Sequence, residues 1–354
     1  MPPLIVDAHE DIAWNALVAG RDVRRSAHAT RRKEQGTDVP KREGVCMLGL
    51  PQWLDGRVAV IFGTVFAPPA NHSPGNPLAY SDPDEAHASG QKQIDFYHRL
   101  ADDEGRIALI EDLPSLEAVL SSWDGDAPAV GIVPLMEGAD PIREPAEAEL
   151  WFERGVRIVG LTWLAGSAYA GGDAVGGPLT DAGRDLLAAL ADVGMVLDLS
   201  HMAEPAFLEA VDRFEGWVIA SHANPRARVP TTRQLSDEMI RRLVERGGVM
   251  GIVPYNRFLK PGWTRRDPKE AVTVADVAAA IDHVCQVVGD SSFVGIGSDF
   301  DGGFGAESAP AENDTVADLG RIGTALGEMG YSEADIAAIL GGNWLRVLRA
   351  ALPG

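Results

Sequence analysis

Short apolar runs recur along the chain, most of them ending in a polar or special residue: residues 4–9, 58–65, 129–136, 156–162, 195–199, 217–221, 248–253 and 293–297. Several are continuous rather than alternating, the pattern of strands buried on both faces of a helix-covered parallel sheet. Between most pairs the spacing changes to a helical period, at 84–100, 146–154, 181–193, 204–214, 237–246 and 275–288. Eight strands alternating with helices predict an α/β fold, a closed (β/α)8 TIM barrel. Ser236 before Asp237 and Glu238, and Thr273 three residues before Asp276, mark two helix starts. Ser332-Glu-Ala-Asp335 opens a closing pair of helices at 336–339 and 344–352, with a break expected at Gly341-Gly342.

Two regions exceed a minimal barrel. Residues 67–84 are rich in Pro and begin an insertion of about sixty residues, 67–128, between the second and third strands. Residues 165–178 are crowded with Gly and carry Tyr169; a mobile lid and a plain surface loop are both open readings. Both regions follow strands, so both belong at the C-terminal face, where barrel active sites are built. With neither an internal repeat nor a clear linker, residues 1–354 read as one domain.

Chemistry concentrates at the strand ends. Taken in order they carry His9 and Asp11, Glu137, Trp163, His201, His222, Tyr255 and Asp299. His28, His72, His87, His98 and His283 fall in loops or helices and read as surface or packing residues. His9 and Asp11 stand two apart, which in a strand puts both on one face; Asp7 would join them only in a regular strand. Histidines and carboxylates without cysteine suit zinc-type ions in a hydrolytic site. Two ions roughly 3.5–4 Å apart can share one carboxylate. The count assigns His9 and Asp11 to one ion, His201 and His222 to the other, and Glu137 as the bridge, leaving each an open position for water. That makes the barrel one of the metal-dependent hydrolase type. Asp299, in Gly295-Ile-Gly-Ser-Asp-Phe-Asp-Gly302, faces the same cavity as a candidate proton carrier, while Asp301 reads as a turn or capping residue. Arg233, on the loop after His222, could grip a carboxylate in a bidentate pair, with Arg226 and Arg228 as competitors.

Composition narrows the partners. The net charge of −21 repels polyanions and argues against nucleic acid or an anionic membrane surface. Cys46 and Cys285 are the only cysteines, too few for a disulfide framework. No basic leader with a secretory-length apolar core precedes the early metal motif, and no apolar run of membrane-spanning length stands out. A cytoplasmic protein with a small-molecule substrate is expected, a homodimer being compatible with it.

His-x-Asp after the first strand, Met-Glu-Gly-Ala after the third, Asp198-Leu-Ser-His201, Ser221-His-Ala-Asn224 and Gly297-Ser-Asp-Phe-Asp-Gly302 together resemble the membrane (renal) dipeptidase family, peptidase family M19. The likeness runs through Gly-Gly-Asn-Trp-Leu-Arg-Val at 341–347. It implies a (β/α)8 barrel with two zinc ions per chain, held by His9, Asp11 and Glu137 and by Glu137, His201 and His222. It implies that Arg233 binds the C-terminal carboxylate of a dipeptide, that Tyr255 accompanies it, that Asp299 is the acid–base group, and that a D-residue at the C-terminal position is accepted. One position departs: the family's Leu-Thr-His reads Leu161-Thr-Trp163 here, so a histidine that helps stabilise the tetrahedral intermediate is replaced by an indole that cannot carry charge. The alternative is another barrel metallohydrolase acting on a cyclic amide, lactone or acyl amino acid. Its commonest form begins His-x-His and carries a modified lysine after the fourth strand, where this chain has His-x-Asp and Trp163.

Overall fold

Parallel strands need cover on both faces, and the strand runs here are accordingly buried along their whole length, as in Val58–Phe66. In the computed structural model, which describes residues 2–354, eight strands form the ring: Ile5–Glu10, Val58–Phe66, Val130–Glu137, Ile158–Gly160, Val196–Asp198, Val218–Ile219, Met250–Ile252 and Val294–Ile296. Neighbours in chain order pair in parallel, and the first strand pairs with the eighth through Asp7 and Ile296. An isolated bridge between Ala220 and Met250 closes the remaining gap between the sixth and seventh. The barrel is the fold read from the sequence. Its later strands are shorter than their apolar runs, because apolar periodicity reports burial and not ladder hydrogen bonds.

The covering helices start where their caps place them. Ser236 accepts the Met239 N–H ahead of Asp237–Glu245, and the Asp276 carboxylate accepts the Thr273 N–H at 2.9 Å ahead of Val274–Val288. The stretch Lys269–Val288 has the length and apolar character of a membrane span. Its helical part instead packs on the barrel, with Val277, Ala278, Ile281 and Val284 all inaccessible. Trp344 of the last helix lies under the eighth strand and donates to the Ile296 carbonyl at 3.0 Å. A Cβ on Gly295 would fall 2.2 Å from that indole nitrogen, so only glycine fits there.

Four features differ from the sequence reading. The segment 67–128 is more than an insertion: Pro83–Asp103 is the covering helix of the second unit, and Ile107–Leu109 with Leu113–Ser122 forms an extra strand–helix unit. That strand pairs with residues 130–132 of the third strand, on the edge whose later part, Leu135 and Met136, pairs with the fourth. Residues 165–178 are not a plain loop. They hold the hairpin Ala170–Gly172 and Gly176–Leu179, docked by a Gly172–Met202 bridge and by the Ala203 N–H on the Gly171 carbonyl at 2.9 Å. Gly341-Gly342 do not break the closing helices but lie in the wide turn Ala338–Gly342 between Glu333–Ala337 and Asn343–Ala351. A Cβ on Gly341 would come within 2.6 Å of the Leu4 carbonyl, so the glycine lets this turn pack on the entry to the first strand. Finally, short helices Ile12–Ala19, Ala27–Glu34, Val39–Glu43 and Leu50–Asp55 fill the first connection; Ala27–Glu34 buries Ala27, Thr30 and Glu34 at helical spacing, but two of the three are polar, so no apolar period shows.

Candidate metal centre

The strand ends converge. Glu137, the last residue of the third strand, stands between two groups: its Oε2 is 3.4 Å from His9 Nε2, and its Oε1 is 3.1 Å from His201 Nε2 and 3.6 Å from His222 Nε2. Asp11 Oδ2 and Asp299 Oδ1 each lie 3.9 Å from His9 Nε2. The five residues expected as ligands are thus brought together, with Asp299 beside the His9 group.

Asp11 arrives by a different route from the one expected. The strand ends at Glu10, with a register shift between Asp7 and Glu10, and Asp11 begins the helix Ile12–Ala19. Thr64 donates to Asp11 Oδ1 at 2.8 Å, leaving Oδ2 toward the cluster. Asp7 instead accepts the Ser298 N–H at 2.6 Å, tying the first strand to the eighth. Glu10 accepts the Trp53 indole N–H at 2.9 Å. Asp301 faces away from the cluster, accepting the Met47 N–H and pairing with Arg21 at 3.3 Å. His201 and Asp299 have φ of 63° and 57°, a left-handed backbone that costs energy without glycine and gathers at functional sites.

The donor set fits a metal. Ser221 Oγ lies 2.6 Å from Asp198 Oδ2 and 2.8 Å from His222 Nδ1; a hydroxyl that donates to the carboxylate accepts from the imidazole, which leaves the His222 lone pair on Nε2. Asp173 Oδ2, 2.8 Å from His201 Nδ1, orients that ring the same way. The two Nε2 atoms are then 3.0 Å apart, an arrangement that needs a cation or a shared proton. Among the described residues, His9 Nε2 is buried with no hydrogen-bond partner. Metal-binding histidines have this anchoring of the second nitrogen.

Charge follows the same division. Burial disfavours a charged His9, but Glu137, Asp11 and Asp299 outweigh it and push its pKa up to about 10. Burial opposes the Glu137 carboxylate, yet His9 and the hydrogen bonds of His201 and His222 hold it well below its usual range. Burial, against the pull of His9 and with the push of Glu137, raises Asp11 to about 6. Burial also raises Asp299 well above an ordinary carboxyl, with Asp11 and Glu137 adding to it against His9. Burial, with His9 and Arg233 nearby, keeps His222 neutral.

A cavity of about 710 Å³ opens over the cluster. Trp14, Phe66 and Trp163 form one aromatic wall, with ring centroids 5.3 and 5.0 Å apart in succession. Tyr255 also lines the cavity, stacked on Phe304 at 4.2 Å. Of the three candidate arginines only Arg233 lines it; Arg226 pairs with Glu204. Arg233 donates to the His222 carbonyl at 2.8 Å and lies over the Phe258 ring at 5.6 Å, while its Nη1 is buried without a partner. Sequence reading missed Asp173, an isolated acid among glycines, and Trp14, which sits on the first helix; neither lies at a strand end. It quoted Asp198 and Ser221 within motifs without a role.

Residues 3–352 match the family described as membrane dipeptidase, peptidase family M19. An uncharacterized protein in the pqqA 5' region of Klebsiella pneumoniae is 32% identical over 58% of this chain and 76% of its own length. Dipeptidase tcpJ of Claviceps purpurea is 33% identical over 55% of this chain, spanning 44% of the fungal protein. Among solved structures, a metallo peptidase from Rhodobacter sphaeroides liganded with a phosphinate mimic of L-Ala-D-Ala superposes with a TM-score of 0.79 at 22% identity, covering 99% of this chain and all of that one. The dipeptidase AC, a metallo peptidase of family M19, superposes with a TM-score of 0.81 at 23% identity over the full length of both. Those two likenesses establish the fold, and the match over residues 3–352 establishes more: the chain belongs to the membrane dipeptidases, peptidase family M19, a family of metallo-dipeptidases.

Proposed function

We propose that this chain hydrolyses the peptide bond of dipeptides with a free C-terminal carboxylate, L-Xaa-D-Yaa dipeptides included, using two zinc ions. The observation that carries the reading is Arg233, which lines the cavity together with Asp11, Glu137, His201 and Asp299 and whose Nη1 has no hydrogen-bond partner among the described residues. A free carboxylate is the group such a donor pairs with most strongly; the neutral oxygen of a cyclic amide or lactone is a weaker partner. The phosphinate mimic bound by the Rhodobacter enzyme belongs to the same substrate class.

His9 and Asp11 would hold one ion, His201 and His222 the other, with Glu137 between them. Zinc bound there would supply the Lewis acidity that polarises a carbonyl and acidifies a water. Arg233 anchors the substrate carboxylate and so sets which bond lies over the cluster. Asp299 takes one proton of the attacking water and hands it to the nitrogen as the C–N bond breaks; the water's second proton also ends on the nitrogen, so a carboxylate and an ammonium depart. Trp163 and Phe66 wall off solvent from one side but bring no charge to the transition state. The test is a screen of L-Xaa-L-Yaa against L-Xaa-D-Yaa dipeptides with chelator-treated protein, before and after zinc. Zinc-dependent cleavage of free dipeptides and slow cleavage of C-terminal amides are expected; a zinc-loaded protein that cleaves no dipeptide overturns the reading.

A further inference from the structure

The hairpin Ala170–Gly172 and Gly176–Leu179 places Asp173 at its turn, and the backbone there is not free to drift. The Asp173 N–H donates to the His201 carbonyl at 2.8 Å, and Gly172 bridges Met202, so the backbone leaving the strained His201 is held by this hairpin. The Asp173 side chain is nearly buried, and one of its oxygens meets two groups of different function. Oδ2 is 2.8 Å from His201 Nδ1 and 3.6 Å from Arg233 Nε. His201 faces Glu137 and His222 with its other nitrogen. Arg233 lines the cavity, and its Nη1 is buried without a hydrogen-bond partner among the described residues.

We infer that Asp173 is a positioning residue that links the imidazole side of the metal centre to the carboxylate grip. Through His201 it keeps the Nε2 lone pair aimed into the cluster. Through Arg233 it aligns the guanidinium so that Nη1 stays free for an anion. An aspartate does both because a carboxylate accepts the imidazole N–H and opposes the guanidinium charge at once. Asparagine can perform only the first task, since its amide oxygen accepts but carries no charge. Loss of a partner of this kind behind a metal-ligating histidine typically costs roughly 10- to 100-fold in metal affinity.

The inference rests on the proposed dipeptidase function for its substrate half but not for its metal half. Chelator-treated wild type, Asp173→Asn and Asp173→Ala are titrated with zinc by calorimetry, with thermal melts to establish that each is folded. KM and kcat for L-Ala-D-Ala are then measured at saturating zinc. Asp173→Ala should weaken a zinc equivalent at least tenfold and raise KM. Asp173→Asn should stay within a few-fold of wild type for zinc yet still raise KM several-fold with a smaller change in kcat. Zinc binding by folded Asp173→Ala that matches wild type overturns the metal half, and an unchanged KM in both variants overturns the link to Arg233. If wild type binds zinc and cleaves no dipeptide, the proposed function fails while the zinc titrations still decide the role of Asp173.

Discussion

The two halves of the cluster on either side of Glu137 are built from different materials. Around His9 the acidic neighbours are Asp11 and Asp299, supplied by the first and eighth connections, while its ring meets that of His222 at 3.7 Å. Around His201 and His222 the neighbours are imidazoles, each oriented from behind by a carboxylate or by a serine backed by one: Asp173 for His201, and Ser221 with Asp198 for His222. The first half therefore concentrates negative charge and can take up protons when no cation is present, as the raised His9, Asp11 and Asp299 indicate. In the second half burial keeps His222 neutral, and the half depends on orientation. One half is maintained by electrostatics and the other by hydrogen-bond direction.

The largest effect should come from removing what the halves share. Glu137→Ala is expected to reduce turnover to background and to lower the zinc content found by elemental analysis; two tightly held zincs in that variant would break the assignment. Asp299→Asn, on the carboxylate side only, should retain zinc and lose roughly 10²- to 10⁴-fold in kcat, the range for a general acid–base group; full activity would remove that role. Arg233→Ala, on the imidazole side, should weaken kcat/KM for free dipeptides about 10- to 100-fold, matching about 1.5–3 kcal/mol for hydrogen bonds to a charged group, and should change little for C-terminal amides. Equal losses on both substrates would sink the carboxylate contact.

The smallest effect is on stability against pH, and it should arise in the His9 half. In metal-free protein the folded pKa of His9, about 10, lies above its ordinary 6.5. Its contribution to stability is therefore complete below pH 6.5 and is lost as pH rises through 10. Asp11, raised to about 6 from 3.8, has the same sign: its contribution is present below 3.8 and is lost as pH rises through 6. Thermal melts with chelator should decline across these windows. Zinc should reverse the trend, because its ligands must be deprotonated. Chelated melts that hold constant from pH 5 to 10 would show that His9 is not the site of proton uptake.

The ring of strands was legible because a parallel barrel buries both faces of every strand and leaves continuous apolar runs. The cluster was legible for a related reason, since all strands point one way and their final residues meet at one mouth. His9, Glu137, His201, His222 and Asp299 needed only that rule. Asp11 was picked out by an alternation that the chain does not follow there, because the strand gives way to helix Ile12–Ala19 one residue earlier. The Gly-rich stretch was illegible: glycine leaves no periodic signal, and the hairpin forms through docking on the His201 loop.

By itself, then, the sequence determined the barrel and the set of side chains crowding its mouth, because burial and strand direction are written in local patterns. Only the tertiary structure decided which nitrogen of each histidine faces inward, and that Asp173 belongs with His201 and Arg233. Those outcomes depend on hydrogen bonds between residues far apart in the chain, as with Asp173 and His201, 28 positions apart, and no local pattern encodes a partner that folding alone brings near.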